Sequence, residues 1–194
     1  MNAYDFDQTI FQPDSSYAFL MYCLRHYTRA VLYAAPGMLY AAALRLVGAM
    51  DTRQLKEKVF GFLPYLEDVD RIVEEFWAEK EAGLEPWYLL QKREDDLIIS
   101  ASPDFLLRPI ADKLGVQLIA TPMDRHSGLI LGKNCHDYEK VTRFIREYPH
   151  EKPERFYSDS LSDSPMAWYS HRAYLVDKGK LSSWPERKSR GITK

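Results

Sequence analysis

Hydrophobic and polar positions divide the chain into three stretches of different period. At the start, Ala3, Tyr4 and Phe6 form a short apolar run that stops at Gln8-Thr9, which predicts a first strand with Asp5 and Asp7 at its end. From about Ser15 to Leu90, apolar positions recur every three or four residues. "TRQLKEKVFGFL" and "DVDRIVEEFWAEKEAGLEPWYLLQKR" are the clearest cases, and they predict helices with Thr52 and Asp68 as caps. Beyond them the apolar runs shorten to "DDLIISASP", "VQLIAT", "RFYSDS" and "AYLVD", separated by helical "DFLLRPIADKLG", "HDYEKVTRFIREY" and "SPMAWYSH". A turn-rich, hairpin-like stretch lies around "DRHSGLILGKNC". Alternating strands and helices predict an α/β fold built on a parallel sheet. No internal repeat interrupts this order, and the tail "PERKSRGITK" reads as a solvated basic end.

One apolar segment stands apart. "AVLYAAPGMLYAAALRLVGAM", residues 30–50, has Arg45 as its single charge and matches the roughly 20 residues that a bilayer-spanning helix needs. Its alanine, glycine and tyrosine content argues against a span, and Pro36-Gly37 is a strong breaker. The expectation is two short helices with their apolar sides buried; contact with a membrane surface is the less favoured reading.

Composition narrows the classes. With 194 residues, 46% hydrophobic and 28% charged, the chain can bury a core with a smaller insertion, which excludes global disorder. A net charge of -2 and a pI near 6.2 exclude the strongly basic face of nucleic-acid binders. Cys23 and Cys135 are far apart and follow no signal-peptide pattern, so free thiols and a cytoplasmic location are expected.

The candidate chemistry begins at Asp5 and Asp7. Acids are poor strand residues, and with period-2 alternation these two share a side, where they either repel or hold something positive between them. In an open parallel sheet, ligands bind beyond the carboxyl ends of the strands. That rule selects Asp5, Asp7 and Thr9, then Ser100, then Asp159 and Asp163, with Lys140 in the first turn of an intervening helix.

Read as "DFDQT", "LIIS", "EK" and "FYSDSLSD", this set resembles the four motifs of the haloacid dehalogenase superfamily of phosphotransferases. Those motifs are Asp-x-Asp-x-Thr, an apolar run ending in Ser or Thr, a Lys, and an apolar run before Asp-x3-Asp. "SASPDFLLRPIADKLG", "GKNCHDYEKV" and "DSLSDSPM" look most like the phosphoserine-phosphatase-like branch. The resemblance covers residues 1–12 and 95–180, and it implies a Rossmann-like core of residues 1–12 and 95–194 with a helical cap, 13–94, inserted between the first two motifs. Ser158 departs from the pattern, since relatives commonly carry Gly before the metal-binding Asp.

A phosphate ester is an anion, so a carboxylate nucleophile approaches it only when a divalent cation and a lysine neutralise the charge. The resemblance implies that Asp5 is this nucleophile and that Asp7 is the general acid and then the base. It implies magnesium held by Asp5, Asp159 and the carbonyl of Asp7, and phosphoryl oxygens held by Ser100 and Lys140 in a loop that Thr9 supports. Asp163 would orient Lys140 or a metal-bound water. Asp14 is a candidate substrate contact, but phosphoserine phosphatases usually carry Glu there, which argues against phosphoserine itself. Taken singly, each residue has a structural explanation: loop carboxylates, a solvated lysine, a cap, turn formers; Lys133 competes with Lys140, and Cys135 and His136 read as structural. The ordered set favours catalysis. The expected function is magnesium-dependent hydrolysis of a small phosphorylated metabolite through an aspartyl-phosphate. The alternatives are a phosphatidylglycerophosphate-type lipid phosphatase, a phosphotransferase and a non-catalytic phosphate-binding protein.

Overall fold

Short apolar runs become the centre of a six-stranded sheet in the computed structural model, which describes residues 1–186. Most of the basic tail therefore lies outside the described residues. The strands are β1 (Ala3–Tyr4), β2 (Leu97–Pro103), β3 (Gln117–Thr121), β4 (Arg155–Ser158), β5 (Arg172–Asp177) and β6 (Lys180–Ser183), in the order β3-β2-β1-β4-β5-β6. Neighbours pair in parallel except β5 and β6, which form an antiparallel hairpin. The apolar pattern does not announce β6, because all four of its residues are exposed. Lys178 and Gly179, at φ 49° and 76°, supply the consecutive left-handed residues that a tight hairpin turn requires.

Strand alternation sorts the core into two faces. Leu97 and Ile99 of β2 join Ala3, Phe144, Phe156 and Met166 on one side, whereas Ile98 joins Tyr4 and Tyr157 on the other. Helices α1 (Ser15–His26), α2 (Thr28–Leu46), α3 (Thr52–Val59), α4 (Val69–Lys80) and α5 (Pro86–Gln91) fill the long insertion. Between and after the later strands come α6 (Asp104–Leu114), α7 (Tyr138–Glu147) and α8 (Ser164–Tyr169).

The insertion shares its apolar cluster with the sheet rather than building its own. The Trp77 ring of α4 lies 5.7 Å from Phe6 and 5.0 Å from Phe11, and its indole N–H donates to Leu106 O of α6 at 2.6 Å. Gly128, in the hairpin-like stretch after β3, meets the same helical layer. It sits at φ +73°, and a Cβ there would come 2.5 Å from Phe60 O, so only glycine allows this approach.

Two expectations for the insertion are corrected. The cap of α3 is Asp51, not Thr52: its side chain accepts from Gln54 N at 2.8 Å while the Gln54 side chain accepts from Asp51 N, a reciprocal box one residue earlier. Asp68 does cap α4. Residues 28–46 are one continuous helix with Pro36 inside it. Pro36 and Leu32 are both exposed, so the Leu32 carbonyl that loses its helical donor can bond to water instead. Nor is the apolar side buried. Among the α2 residues only Ala30, Val31 and Ala41 are buried, while Leu39 is 71% and Leu46 88% exposed. Among the described residues, no helix is long and apolar enough to cross a membrane.

Candidate active site

The order reverses direction at β1, whose Tyr4 pairs with Ile98 on one side and Tyr157 on the other. Such a switch point opens a crevice at the strands' carboxyl ends. Asp5 enters that crevice with its N–H still donating to Tyr157 O at 2.8 Å. The chain then folds back: Phe6 O accepts from the N–H groups of Thr9, Ile10 and Phe11, and Gln8 takes φ 56°. This reversal carries Thr9 to the loop after β4. The buried Thr9 hydroxyl donates to Asp159 Oδ1 at 3.3 Å and accepts from Asp159 N at 2.9 Å, so it is committed to holding Asp159.

Lys140 arrives from the first turn of α7. Its Nζ lies 2.6 Å from Asp5 Oδ1 and 2.6 Å from Asp163 Oδ2, fully out of solvent. Ser158 donates to the same Asp163 oxygen at 2.7 Å and accepts from Ser160 N at 3.1 Å, so its hydroxyl ties the loop together where relatives commonly carry glycine. Lys133 is 83% exposed and faces Glu139, away from this cluster.

Two carboxylates here share one ammonium. Burial pushes Asp5 up to about 7; Lys140 pulls the other way, and Asp163 adds to the rise. Burial also works against the charge of Lys140, yet Asp5 and Asp163 outweigh it, and the lysine is held above its ordinary value. Both directions are compatible, since the second carboxylate leaves an unbalanced negative charge. Asp7 is pushed up to about 6, first by burial and then by Asp14, while hydrogen bonds from Ser102 and Ser15 act against this. Burial also raises Asp159.

Asp7 is anchored at both oxygens. Ser15 N donates to Oδ1 at 2.6 Å, and the Ser102 hydroxyl donates to Oδ2. Ser100, buried at the same strand end, accepts from Ser102 N at 3.1 Å. Ser102 escaped the reading of the sequence although "LIISASP" carried its signal, because a strand pattern expects residues two apart, such as Ser100 and Ser102, on one side. Lys56 escaped it for a different reason. It comes from α3, and its Nζ donates to Ala101 O at 2.7 Å and Asn134 Oδ1 at 3.1 Å, contacts 45 and 78 residues away in sequence. Burial lowers its pKa, with Asp7 and Asp14 opposing. Asp14 caps α1 by accepting from Tyr17 N at 2.8 Å. Together with Tyr17, Leu20, Leu55, Lys56 and Val59, it lines an open and mainly apolar cavity of about 420 Å³.

The donor set fits magnesium. Among the described residues no three His, Cys, Asp or Glu side chains form a ready cage. Magnesium does not require one, because it keeps several waters and binds through one or two carboxylates and substrate phosphate. Asp5, Asp159 and the Asp7 carbonyl would supply such an all-oxygen set, and the Asp5, Asp7 and Asp159 carboxylates are all raised by burial, which a nearby positive charge would offset.

The chain has relatives among known proteins. A family model described as haloacid dehalogenase-like hydrolase matches residues 3–167. Protein CicA of Caulobacter vibrioides is 31% identical over 207 residues, which cover 92% of this chain and 86% of that protein. A protein of unknown function from Bordetella pertussis Tohama I superposes with a TM-score of 0.73 at 23% identity, covering 89% of this chain and 87% of the other. A phosphoserine phosphohydrolase-like protein from Francisella tularensis gives a TM-score of 0.55 at 16% identity, covering 89% and 86%. These two structures share the fold.

Proposed function

The chain belongs to the haloacid dehalogenase-like hydrolase family, and from that premise we propose that it hydrolyses a phosphate monoester through a phosphorylated Asp5, with magnesium as cofactor. The observation that carries this reading is the buried Lys140 bridging Asp5 and Asp163 at 2.6 Å each. The lysine favours the ionised form of Asp5 against the effect of burial and fixes Oδ1, which leaves Oδ2 to attack phosphorus. As the phosphorus–oxygen bond of the ester breaks, Asp7 gives its proton to the departing alkoxide. Asp7 is then a carboxylate and accepts a proton from the water that attacks the aspartyl-phosphate, releasing inorganic phosphate and restoring Asp5. A pKa pushed up to about 6 suits a group that must do both near neutrality. Magnesium, held by Asp5, Asp159 and the Asp7 carbonyl, would neutralise phosphoryl charge. In this reading Ser100 and Lys140 hold phosphoryl oxygens, Thr9 holds Asp159, and Asp163 holds Lys140.

Residues 13–94 act as the cap, and the cavity lined by Asp14 and Lys56 receives the alcohol portion of a small phosphorylated metabolite. Buried, unpaired Cys23 and Cys135 support a reducing, cytoplasmic setting. The test is a screen of phosphorylated metabolites and an aryl phosphate with magnesium and with chelator. Magnesium-dependent phosphate release that is absent in Asp5→Asn supports the reading; release that persists in Asp5→Asn overturns it.

A further inference from the structure

Helix α2 turns its apolar side outward. Leu32, Tyr33, Leu39, Tyr40, Leu46 and Val47 are between 59% and 88% exposed. At 100° per residue they share one side, opposite the buried Ala30, Val31 and Ala41. The 19 residues make this face roughly 28 Å long. An apolar helix face of this kind belongs in a protein interior or against lipid.

Charge indicates what covers it. From Arg25 to Met50 the chain has no Asp or Glu; its charges are Arg25, Arg29 and Arg45, in a protein whose net charge is -2. The α2 N-terminus has no side-chain cap, so its dipole adds positive potential at the Arg29 end. Around that end Glu67 and Asp68 line a cavity together with Arg29; Asp68 is engaged by Arg71, as is Glu75, and Glu79 is engaged by Lys80. An exposed face of leucines and tyrosines, with Arg29 on it and no acid in the segment, suits a surface that is apolar below and anionic above. A second copy of this chain is a poorer match, because a two-fold contact would gather the arginines of both copies with no acid of this segment to offset them.

We propose that α2 docks flat on an anionic lipid bilayer, its Leu and Tyr side chains entering the headgroup boundary and Arg29, which lies on the same side, meeting lipid phosphate; Arg45 lies on the opposite side and donates to Met50 O at 3.1 Å. This surface is separate from the catalytic groups, so its test does not depend on turnover. The 194-residue protein is floated with vesicles of phosphatidylcholine alone and of phosphatidylcholine with phosphatidylglycerol. The expected result is flotation with the anionic vesicles only, weakened by raised salt and reduced about tenfold or more by Leu39→Glu combined with Leu46→Glu. Both positions are exposed, and an unchanged circular dichroism spectrum verifies that the variant folds; Leu39→Ala with Leu46→Ala gives an intermediate loss without new charge. Absence of flotation with anionic vesicles overturns the proposal, as does flotation that the variants leave unchanged. A dimer in solution that the glutamate variant converts to monomer, without vesicle binding by the parent, assigns the face to a second copy and also overturns it.

Discussion

Replacing Asp5 by Asn should abolish turnover and at the same time stabilise the metal-free protein. Asp5 is 12% exposed and shares the Lys140 ammonium with Asp163, so the cluster holds two carboxylates against one cation. Its pKa moves from 3.8 to about 7 on folding, mainly through burial. Below pH 4 both folded and unfolded Asp5 are protonated, and the group contributes nothing. Between pH 4 and 7 the unfolded chain releases a proton that the folded one retains, so stability falls as pH rises. Above pH 7 the full cost is present. At about 1.36 kcal/mol per unit, a shift of this size corresponds to roughly 4 kcal/mol. Asparagine removes the charge, keeps the volume and leaves Lys140 paired one-to-one with Asp163. At about 2–4 °C per kcal/mol for a chain of this length, the gain in melting temperature is on the order of 10 °C. Thermal unfolding in chelator at pH 8 and at pH 4 measures this, with the gain expected at pH 8 and absent at pH 4. A variant less stable than the parent at pH 8, or an equal gain at both pH values, would refute the charge argument.

Three other outcomes follow from the same structure. Asp159→Ala should raise the magnesium concentration needed for half-maximal activity at least tenfold, because one of few charged ligands is lost; an unchanged magnesium titration would remove Asp159 from the ligand set. Gly128→Ala should lower stability by about 1–3 kcal/mol in denaturant unfolding, since the added Cβ meets Phe60 O at a left-handed backbone position, and an unchanged midpoint would show that this contact yields freely. Burial pushes the Cys23 thiol up to about 12 and Cys135 up to about 11, so neither should react with a thiol reagent at pH 8 until denaturant is added. Rapid labelling of the native protein would contradict their burial.

What was legible in the sequence follows from the range of the interactions. Asp5, Asp7, Ser100 and Asp159 each stand at or just past the end of an apolar run, so strand periodicity and the carboxyl-end rule for open parallel sheets together select them. Ser102 was equally accessible, two residues past Ser100. Lys56 was not, because its contacts with Ala101 and Asn134 depend on how the helical insertion folds back over the strands. The continuity of α2 and the exposure of its apolar side were illegible for a related reason. Composition says which residues prefer burial, but whether the rest of the chain covers them is decided by packing. The antiparallel β6 left no signal because none of its side chains is buried.

The most direct test of the central claim is chemical trapping of Asp5 during turnover. The enzyme is mixed with magnesium and an aryl phosphate, quenched in acid within a turnover and reduced with borohydride, which converts an aspartyl-phosphate to homoserine, and the digest is mapped by mass spectrometry. Homoserine is expected at position 5, dependent on substrate and absent from Asp5→Asn. Normal turnover with residue 5 unmodified at every quench time, or with the modification at Asp7, would contradict it.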